Sequence, residues 1–153
     1  MIRLTRLTDY GIMLLTLFAR DGRRGMKSAR DLAAEAHLPL PTVSKILKLL
    51  ARSGLLEAHR GVKGGFTLAR QPAEIPMSEV ISALEGPIGM TECSSEEGNC
   101  VIERFCCVRS NWMKINQVVR KALGQITLAE MTHPMPALTT VKWGESRLTA
   151  QKG

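Results

Sequence analysis

Apolar residues in the first fifty positions recur every three or four residues, which is the period of an α-helix. Residues 8–19 carry this pattern, and Thr8 or Asp9 stands where a side chain could cap such a helix. A second helix is predicted to begin after Ser28, because Asp31 follows at the spacing of a capping box. The pattern therefore predicts two helices separated by a basic, glycine-containing loop.

A third amphipathic pattern occupies residues 41–53, and Gly54 suits the position after its last turn. Its apolar positions predict a face that packs into a core. Its other face is polar and basic, and carries Thr42, Ser44, Lys45, Lys48 and Arg52. Two short helices joined by a tight turn, the second with such an outer face, are typical of a helix-turn-helix. The second helix of that motif enters the major groove of DNA.

Two short β-like runs, residues 55–59 and 65–69, follow the third helix and are separated by the segment Arg-Gly-Val-Lys-Gly. A hairpin after a helix-turn-helix is a wing. Its glycines permit left-handed backbone and close approach to a phosphate or groove, and a long cation at its tip can enter a narrow minor groove. The predicted DNA contacts are Ser28, Pro41, Thr42, Ser44, Lys45, Lys48, Arg60, Gly61 and Lys63.

The rest of the chain predicts more helices. Residues 76–84 indicate a helix that packs back on the DNA-binding module, and residues 110–124 form the longest helical pattern. This pattern contains a seam with spacings of 3, 4, 3 and 4, formed by Trp112, Ile115, Val119, Ala122 and Ile126. A seam of this kind packs against another helix. It could cover the core of its own subunit, but a helix-turn-helix usually reads two half-sites, which favours a second copy.

Charge is distributed unevenly along the 153 residues, whose formal net charge is +7. Residues 1–70 hold 13 Lys+Arg against 5 Asp+Glu, a net of +8, whereas residues 71–153 hold 8 against 9, a net of −1. The positive half is where a polyanion would bind. The chain has neither an apolar run that could cross a bilayer nor a secretory leader, which predicts a cytoplasmic protein without membrane contact. No enzyme is expected, because the three histidines are scattered.

The four cysteines are gathered in one polar stretch, and they are Cys93, Cys100, Cys106 and Cys107. In a reducing cytoplasm, gathered thiols indicate a metal or redox site rather than a structural disulfide. Thiolates suit zinc or an iron–sulfur cluster, and the absence of the paired C-x2–4-C spacing of structural zinc sites favours a cluster. Zinc and bare-thiol redox chemistry remain alternatives, although the acidic neighbours disfavour a nucleophilic thiol. Three ligands are clear by position, and Cys107 is awkward because adjacent side chains diverge.

Several motifs together resemble one family from residue 1 to about residue 131. They are Thr8-Asp9-Tyr10-Gly11, the pattern Arg60-Gly61-x-x-Gly64-Gly65-Phe66-x-Leu68-Ala69, and the three spaced cysteines. On these residues the chain resembles the Rrf2 (Rrf-two) family of bacterial regulators, in which an IscR type and an NsrR type occur. The motifs Leu84-Glu85-Gly86-Pro87-Ile88 and Thr91-Glu92-Cys93 look most like the branch that regulates the SUF operon for iron–sulfur cluster assembly.

The resemblance implies a homodimeric winged helix-turn-helix protein that binds a pseudo-palindromic site in double-stranded DNA. It also implies a [2Fe-2S] or [4Fe-4S] iron–sulfur cluster on Cys93, Cys100 and Cys106. In the IscR type a histidine three residues after the third cysteine completes the ligand set, but this chain has Arg109 there, which cannot ligate. In the NsrR type an aspartate early in the first helix of the other subunit serves. Asp9 occupies that position and is the expected fourth ligand, with Cys107 as second choice.

The expected fold class is mainly α, a winged helix-turn-helix with a small β-hairpin wing and a long C-terminal dimerisation helix. Residues 1–71 would form the DNA-binding domain, 72–131 the cluster-binding loop and dimerisation helices, and 132–153 a flexible tail. The expected function is a cluster-dependent transcriptional regulator, a repressor, of the SUF genes. A nitric-oxide or redox sensing repressor of the same family and a zinc-stabilised DNA-binding protein without sensing are the alternatives.

Overall fold

The structure is a computed structural model that describes residues 3–21, 25–62, 64–91 and 106–133. The helices are α1 (Arg6–Asp21), α2 (Ala29–Glu35), α3 (Leu40–Arg52), α4 (Met77–Glu85), α5 (Arg109–Gly124) and α6 (Leu128–Met131). An antiparallel hairpin, β1 (Leu56–His59) and β2 (Gly65–Leu68), follows α3, and a short 3-10 helix (Pro72–Glu74) precedes α4. The predicted class, mainly α with a hairpin wing, is confirmed. Among the described residues, no helix combines the length and the apolar character that a membrane span requires.

One core joins the helix-turn-helix to the helices that follow it. Most of its fully buried side chains come from α1, α2, α3, α4 and α6, and these include Leu14, Phe18, Leu32, Ile46, Leu47, Leu50, Val80 and Leu128. Burial of each such side chain contributes about 1.5–3 kcal/mol. The second helix of the helix-turn-helix, α3, is therefore held by packing against both α1 and α4.

The first helix begins earlier than predicted, and neither Thr8 nor Asp9 caps it. Its first residue is Arg6, and the Thr5 hydroxyl accepts a hydrogen bond from the Thr8 backbone N–H at 3.4 Å. Thr8 is fully buried, and its hydroxyl donates to Glu85 at the end of α4. The predicted cap was wrong because the acceptor that uses the Thr8 side chain lies 77 residues away, where a local pattern cannot show it.

The helix-turn-helix has the predicted boundaries to within one residue. The capping box before α2 is confirmed, since Ser28 Oγ accepts the Asp31 N–H at 3.1 Å and Asp31 Oδ2 accepts the Ser28 N–H at 3.3 Å. The turn places His37 in the left-handed region with φ 52°, which few residues other than glycine adopt. The third helix begins one residue before Pro41, and Gly54 follows it with φ 76°, as expected of a helix C-terminus.

The wing is joined to the segment before α2 by backbone hydrogen bonds that the sequence did not predict. Within the hairpin, Leu56 pairs with Leu68 at the base. Outside it, Lys27 N–H donates to Phe66 O at 3.1 Å, and Phe66 N–H donates to Lys27 O at 2.9 Å. This pairing lies outside the two-stranded hairpin and holds the wing beside the start of α2, so the wing has a fixed position relative to the helix-turn-helix.

The predicted seam of the long helix divides between two environments. Trp112 and Val119 of α5 are half-buried in their own subunit, as is Ile126 just after the helix, which packs against the core. In contrast, Ile115 is 44% exposed and Ala122 is exposed as well. The spacing therefore identified the helix correctly but combined residues of two adjacent faces.

Candidate nucleic-acid interface and cysteine segment

The outer face of α3 presents the residues that the sequence predicted for the major groove. The inner face is buried through Val43, Ile46, Leu47 and Leu50. Opposite them, Pro41, Lys45 and Lys48 are exposed, and Thr42 and Ser44 are half-buried. Neither lysine forms an ion pair with any residue that the structure describes. Their ammonium groups are therefore available to phosphates.

The hairpin tip is shaped by glycine. Gly61 has φ 123°, and its carbonyl accepts the Gly64 N–H at 2.9 Å. A Cβ on Gly64 would lie 2.5 Å from the backbone oxygen of His59, so the turn leaves no room for a side chain there. Arg60 is exposed beside this turn, and Val62 is fully exposed, with a relative accessibility of 106%. Val62 was missed as a candidate contact, although its place at the tip of the predicted wing was a usable signal.

Two polar residues of the positively charged half, Lys27 and Ser28, form contacts within the protein. Lys27 Nζ forms ion pairs with Asp21 Oδ2 at 2.8 Å and Glu35 Oε2 at 2.7 Å, and its side chain is only 15% exposed. The hydrogen bond to Asp21, and then that to Glu35, raises the pKa of Lys27. Ser28 donates its hydroxyl to Asp31 Oδ2 at 2.6 Å, within the capping box. A DNA contact from Ser28 thus remains a prediction, and Lys27 serves to join α1, α2 and the wing.

Replacement of Lys48 by alanine should weaken binding to any DNA duplex and reduce the slope of log K against log salt by about 0.9, the value for one lost phosphate contact. Replacement of Lys27 by methionine should leave that slope unchanged, because two carboxylates already neutralise its charge. Fluorescence anisotropy with a labelled duplex between 50 and 200 mM salt would measure both slopes. A smaller slope for the Lys27 variant would show that Lys27 contacts DNA and would contradict its assignment to the ion pairs with Asp21 and Glu35.

The four cysteines lie in residues 93–107, called here the cysteine segment. In its described part, the last two thiols differ in exposure. Cys106 is half-buried and Cys107 is exposed, and both are free. They lie directly before α5. Cys93, Cys100 and Lys63 lie outside the described residues, as does the tail from residue 134. Among the residues described, no group of three or more His, Cys, Asp or Glu side chains comes together as a metal site.

The first helix presents a carboxylate on its outer surface. Asp9 is exposed in the first turn of α1, next to the buried Thr8. Its carboxylate makes no hydrogen bond or ion pair with the residues that the structure describes. Asp9 is not needed as a cap, since Thr5 stands at the helix start. The chemistry of this donor, a free and accessible carboxylate, fits a ligand that could complete a thiolate set.

The connection from α4 to the cysteine segment is anchored at both ends. Glu85 is the last residue of α4, and Gly86 follows with φ 92°, a conformation that favours glycine. Ile88 O accepts a hydrogen bond from Asn116 Nδ2 of α5 at 3.1 Å, and Asn116 is only 5% exposed. Sequence reasoning missed both anchors, although a polar residue on the inner face of the long helix was a signal for Asn116.

Comparison with known proteins agrees with this architecture. The model of the family Rrf2, described as an iron-dependent transcriptional regulator, matches residues 4–134. The regulator NsrR of Geobacillus kaustophilus is 28% identical over 141 residues, which cover 92% of this chain and 96% of that relative. IscR of Xenorhabdus nematophila is 27% identical over 130 residues, 85% of this chain and 79% of the relative.

A solved structure points to the same family. The structure of T. potens IscR superposes with a TM-score of 0.63 and 26% identity, and the match covers 85% of each chain. The winged module, the basic recognition face and the family model thus agree over almost the whole described chain. The protein belongs to the Rrf2 family, whose members are DNA-binding transcriptional regulators and not enzymes.

Proposed function

We propose that this protein is a transcriptional repressor of iron–sulfur cluster assembly (SUF) genes, and that an iron–sulfur cluster held by Cys93, Cys100 and Cys106 sets its affinity for DNA. The observation that carries the proposal is the match of an iron-dependent regulator family to residues 4–134, a range that includes all four cysteines. A soft, multi-thiolate donor set suits such a cluster.

The described surroundings of the ligand candidates support this assignment. Cys106 is half-buried whereas Cys107 is exposed, so the two adjacent thiols do not share one environment. This difference favours Cys106 in the ligand set. The fourth ligand is Asp9 of the other subunit, whose carboxylate is exposed and unpaired among the described residues. Cys107 is the second choice.

DNA binding is assigned to a homodimer that reads a pseudo-palindromic site. Each subunit places α3 in the major groove, with Thr42, Ser44, Lys45 and Lys48 toward the bases and phosphates. Arg60 and the wing tip approach the minor groove or the backbone. Two such modules require a fixed spacing, which the long helix α5 provides by pairing with its copy.

Regulation follows from the place of the cysteine segment in the chain. It connects α4 to α5, so a change in its conformation acts on the helix that sets the spacing of the two DNA-binding modules. A ligand that favours one spacing shifts the population toward it. A change of about 100-fold in operator affinity requires only about 2.7 kcal/mol of differential binding.

Replacement of Cys100 by alanine should abolish the visible absorption and the bound iron of anaerobically prepared protein, while the far-UV circular dichroism stays unchanged. The reason is that loss of one of three thiolates leaves the cluster without a complete ligand set. The matched control is Cys107→Ala, which should keep the cluster. Normal loading of the Cys100 variant would refute the proposed cluster site, and a colourless wild type with one zinc per chain would establish the zinc alternative.

Nitric-oxide sensing by the same cluster is the second candidate. It is favoured by the relative named NsrR, which matches over 92% of this chain, and by Asp9 together with the non-ligating Arg109. The two functions differ in the signal that releases DNA. Titration of the loaded protein with nitric oxide under anaerobic conditions, followed by a DNA-binding assay, would distinguish them from each other.

A further inference from the structure

Glu85 forms a long-range contact that ties the end of α4 to the first turn of α1. Its Oε1 accepts the backbone N–H of Thr5 at 2.7 Å and also accepts the hydroxyl of Thr8. Thr8 is completely buried, so its hydroxyl has no access to water that could replace the carboxylate. The contact is therefore specific to this pair of helix ends.

The carboxylate serves the first helix as an anion at its N-terminus. The first N–H groups of a helix lack partners inside it, and the helix dipole favours negative charge there. The hydroxyl of Thr8, and then the backbone N–H of Thr5, lowers the pKa of Glu85. One turn further along, α1 and α4 approach closely, since a Cβ on Gly11 would lie 2.5 Å from Leu84 Cδ1. Two independent contacts thus fix the same helix pair.

Glu85 occupies the last helical position before the cysteine segment. Gly86 turns the chain immediately after it, and Ile88 is anchored to Asn116 of α5. Consecutive helical residues are rotated by about 100° about the axis. When Glu85 holds Thr8 toward α4, the neighbouring Asp9 is therefore turned outward, where it is exposed.

We propose that Glu85 is a positioning residue that links the cysteine segment to α1, fixing the direction in which Asp9 is presented and making operator affinity respond to the cluster. This inference rests on the proposed function. It assigns Glu85 no contact with the cluster or with DNA. Its side chain transmits position between the base of the cysteine segment and the N-terminal helix.

The test compares operator affinity of the cluster-loaded and cluster-free forms. The operator is a duplex selected by the wild-type protein from a random library, and the cluster is built with iron and sulfide under anaerobic conditions. Glu85→Ala should reduce the ratio of the two affinities at least about fivefold, the lower end of typical coupling between sites. Glu85→Gln should restore part of the ratio, because an amide oxygen still accepts both hydrogen bonds.

Two further variants separate coupling from stability. Thr8→Val keeps the volume of the buried side chain and leaves Glu85 intact, and should reduce the ratio as Glu85→Ala does. Glu79→Ala, on the same helix but paired with Arg70, should leave the ratio unchanged. If the Glu85 and Thr8 variants lose affinity equally in both forms, Glu85 is merely structural and the inference is overturned. If the wild type itself shows no difference between its forms, the proposed function fails instead.

Discussion

A Val118→Asp variant is expected to be monomeric and to bind operator DNA about 100-fold more weakly than the wild type, or weaker still. Two linked DNA-binding modules gain affinity because binding of the first places the second at a high effective concentration. This commonly raises the overall affinity 10²–10⁴-fold. A monomer loses that gain. Its contacts to a single half-site would be unchanged, so weak binding to a half-site duplex should remain.

The loss of the dimer is expected because of a row of exposed apolar side chains on one side of α5. Val108, Ile115 and Val118 are 44%, 44% and 55% exposed, and with the exposed Ala122 they recur at spacings of 7, 3 and 4. Such a row of apolar side chains is typical of a surface that another helix covers. In the proposed dimer Val118 would be buried, and burial of an unpaired carboxylate is costly. In the isolated subunit the same residue is exposed, so the fold should tolerate the change.

Met113→Asp is the matched control. Met113 is also apolar, lies on the same helix and is 47% exposed. It lies five positions before Val118, which places it about 140° away around the helix. Sedimentation velocity should show a dimer for Met113→Asp and a monomer for Val118→Asp. A Val118 variant that remains dimeric with normal operator affinity would rule out this face of α5 as the interface.

The long helix also shows how far sequence reasoning reaches. Its period predicted the helix within one residue, because the spacing of apolar positions depends only on helix geometry. The same period could not separate the half-buried face of Trp112 and Val119 from the neighbouring exposed face of Ile115 and Ala122. Both faces are apolar, and which one meets the subunit's own body is decided by the tertiary fold.

Local polar patterns were predicted where donor and acceptor are close in sequence. The capping box of Ser28 and Asp31 joins residues three apart. The contact of Thr8 with Glu85 spans 77 residues, and no pattern in either segment indicates it. The polar and basic outer face of α3 was predicted because it follows from helical spacing alone. The ion pairs of Lys27 with Asp21 and Glu35 were not predicted, because they depend on the tertiary fold.

Gly65→Ala is expected to lower the free energy of unfolding by about 1–3 kcal/mol, the usual cost of forcing extra atoms into a packed site. A Cβ on Gly65 would lie 2.7 Å from the backbone oxygen of Lys27 and 3.0 Å from its carbonyl carbon. Both atoms belong to the backbone, so neither can rotate away as a side chain could. Relief of the clash requires the wing to move away from the segment before α2.

The DNA affinity of the Gly65→Ala variant should therefore fall by more than its loss of stability explains. Gly124→Ala is the control, since its Cβ would meet only Ser78 Oγ at 3.5 Å, and its stability should stay within about 0.5 kcal/mol of the wild type. Urea denaturation gives the stabilities. DNA affinity is then measured under conditions in which both variants are folded, so any loss reflects the displaced wing. If Gly65→Ala is destabilised but binds DNA normally, the pairing of Lys27 with Phe66 stabilises the fold without positioning the wing for DNA.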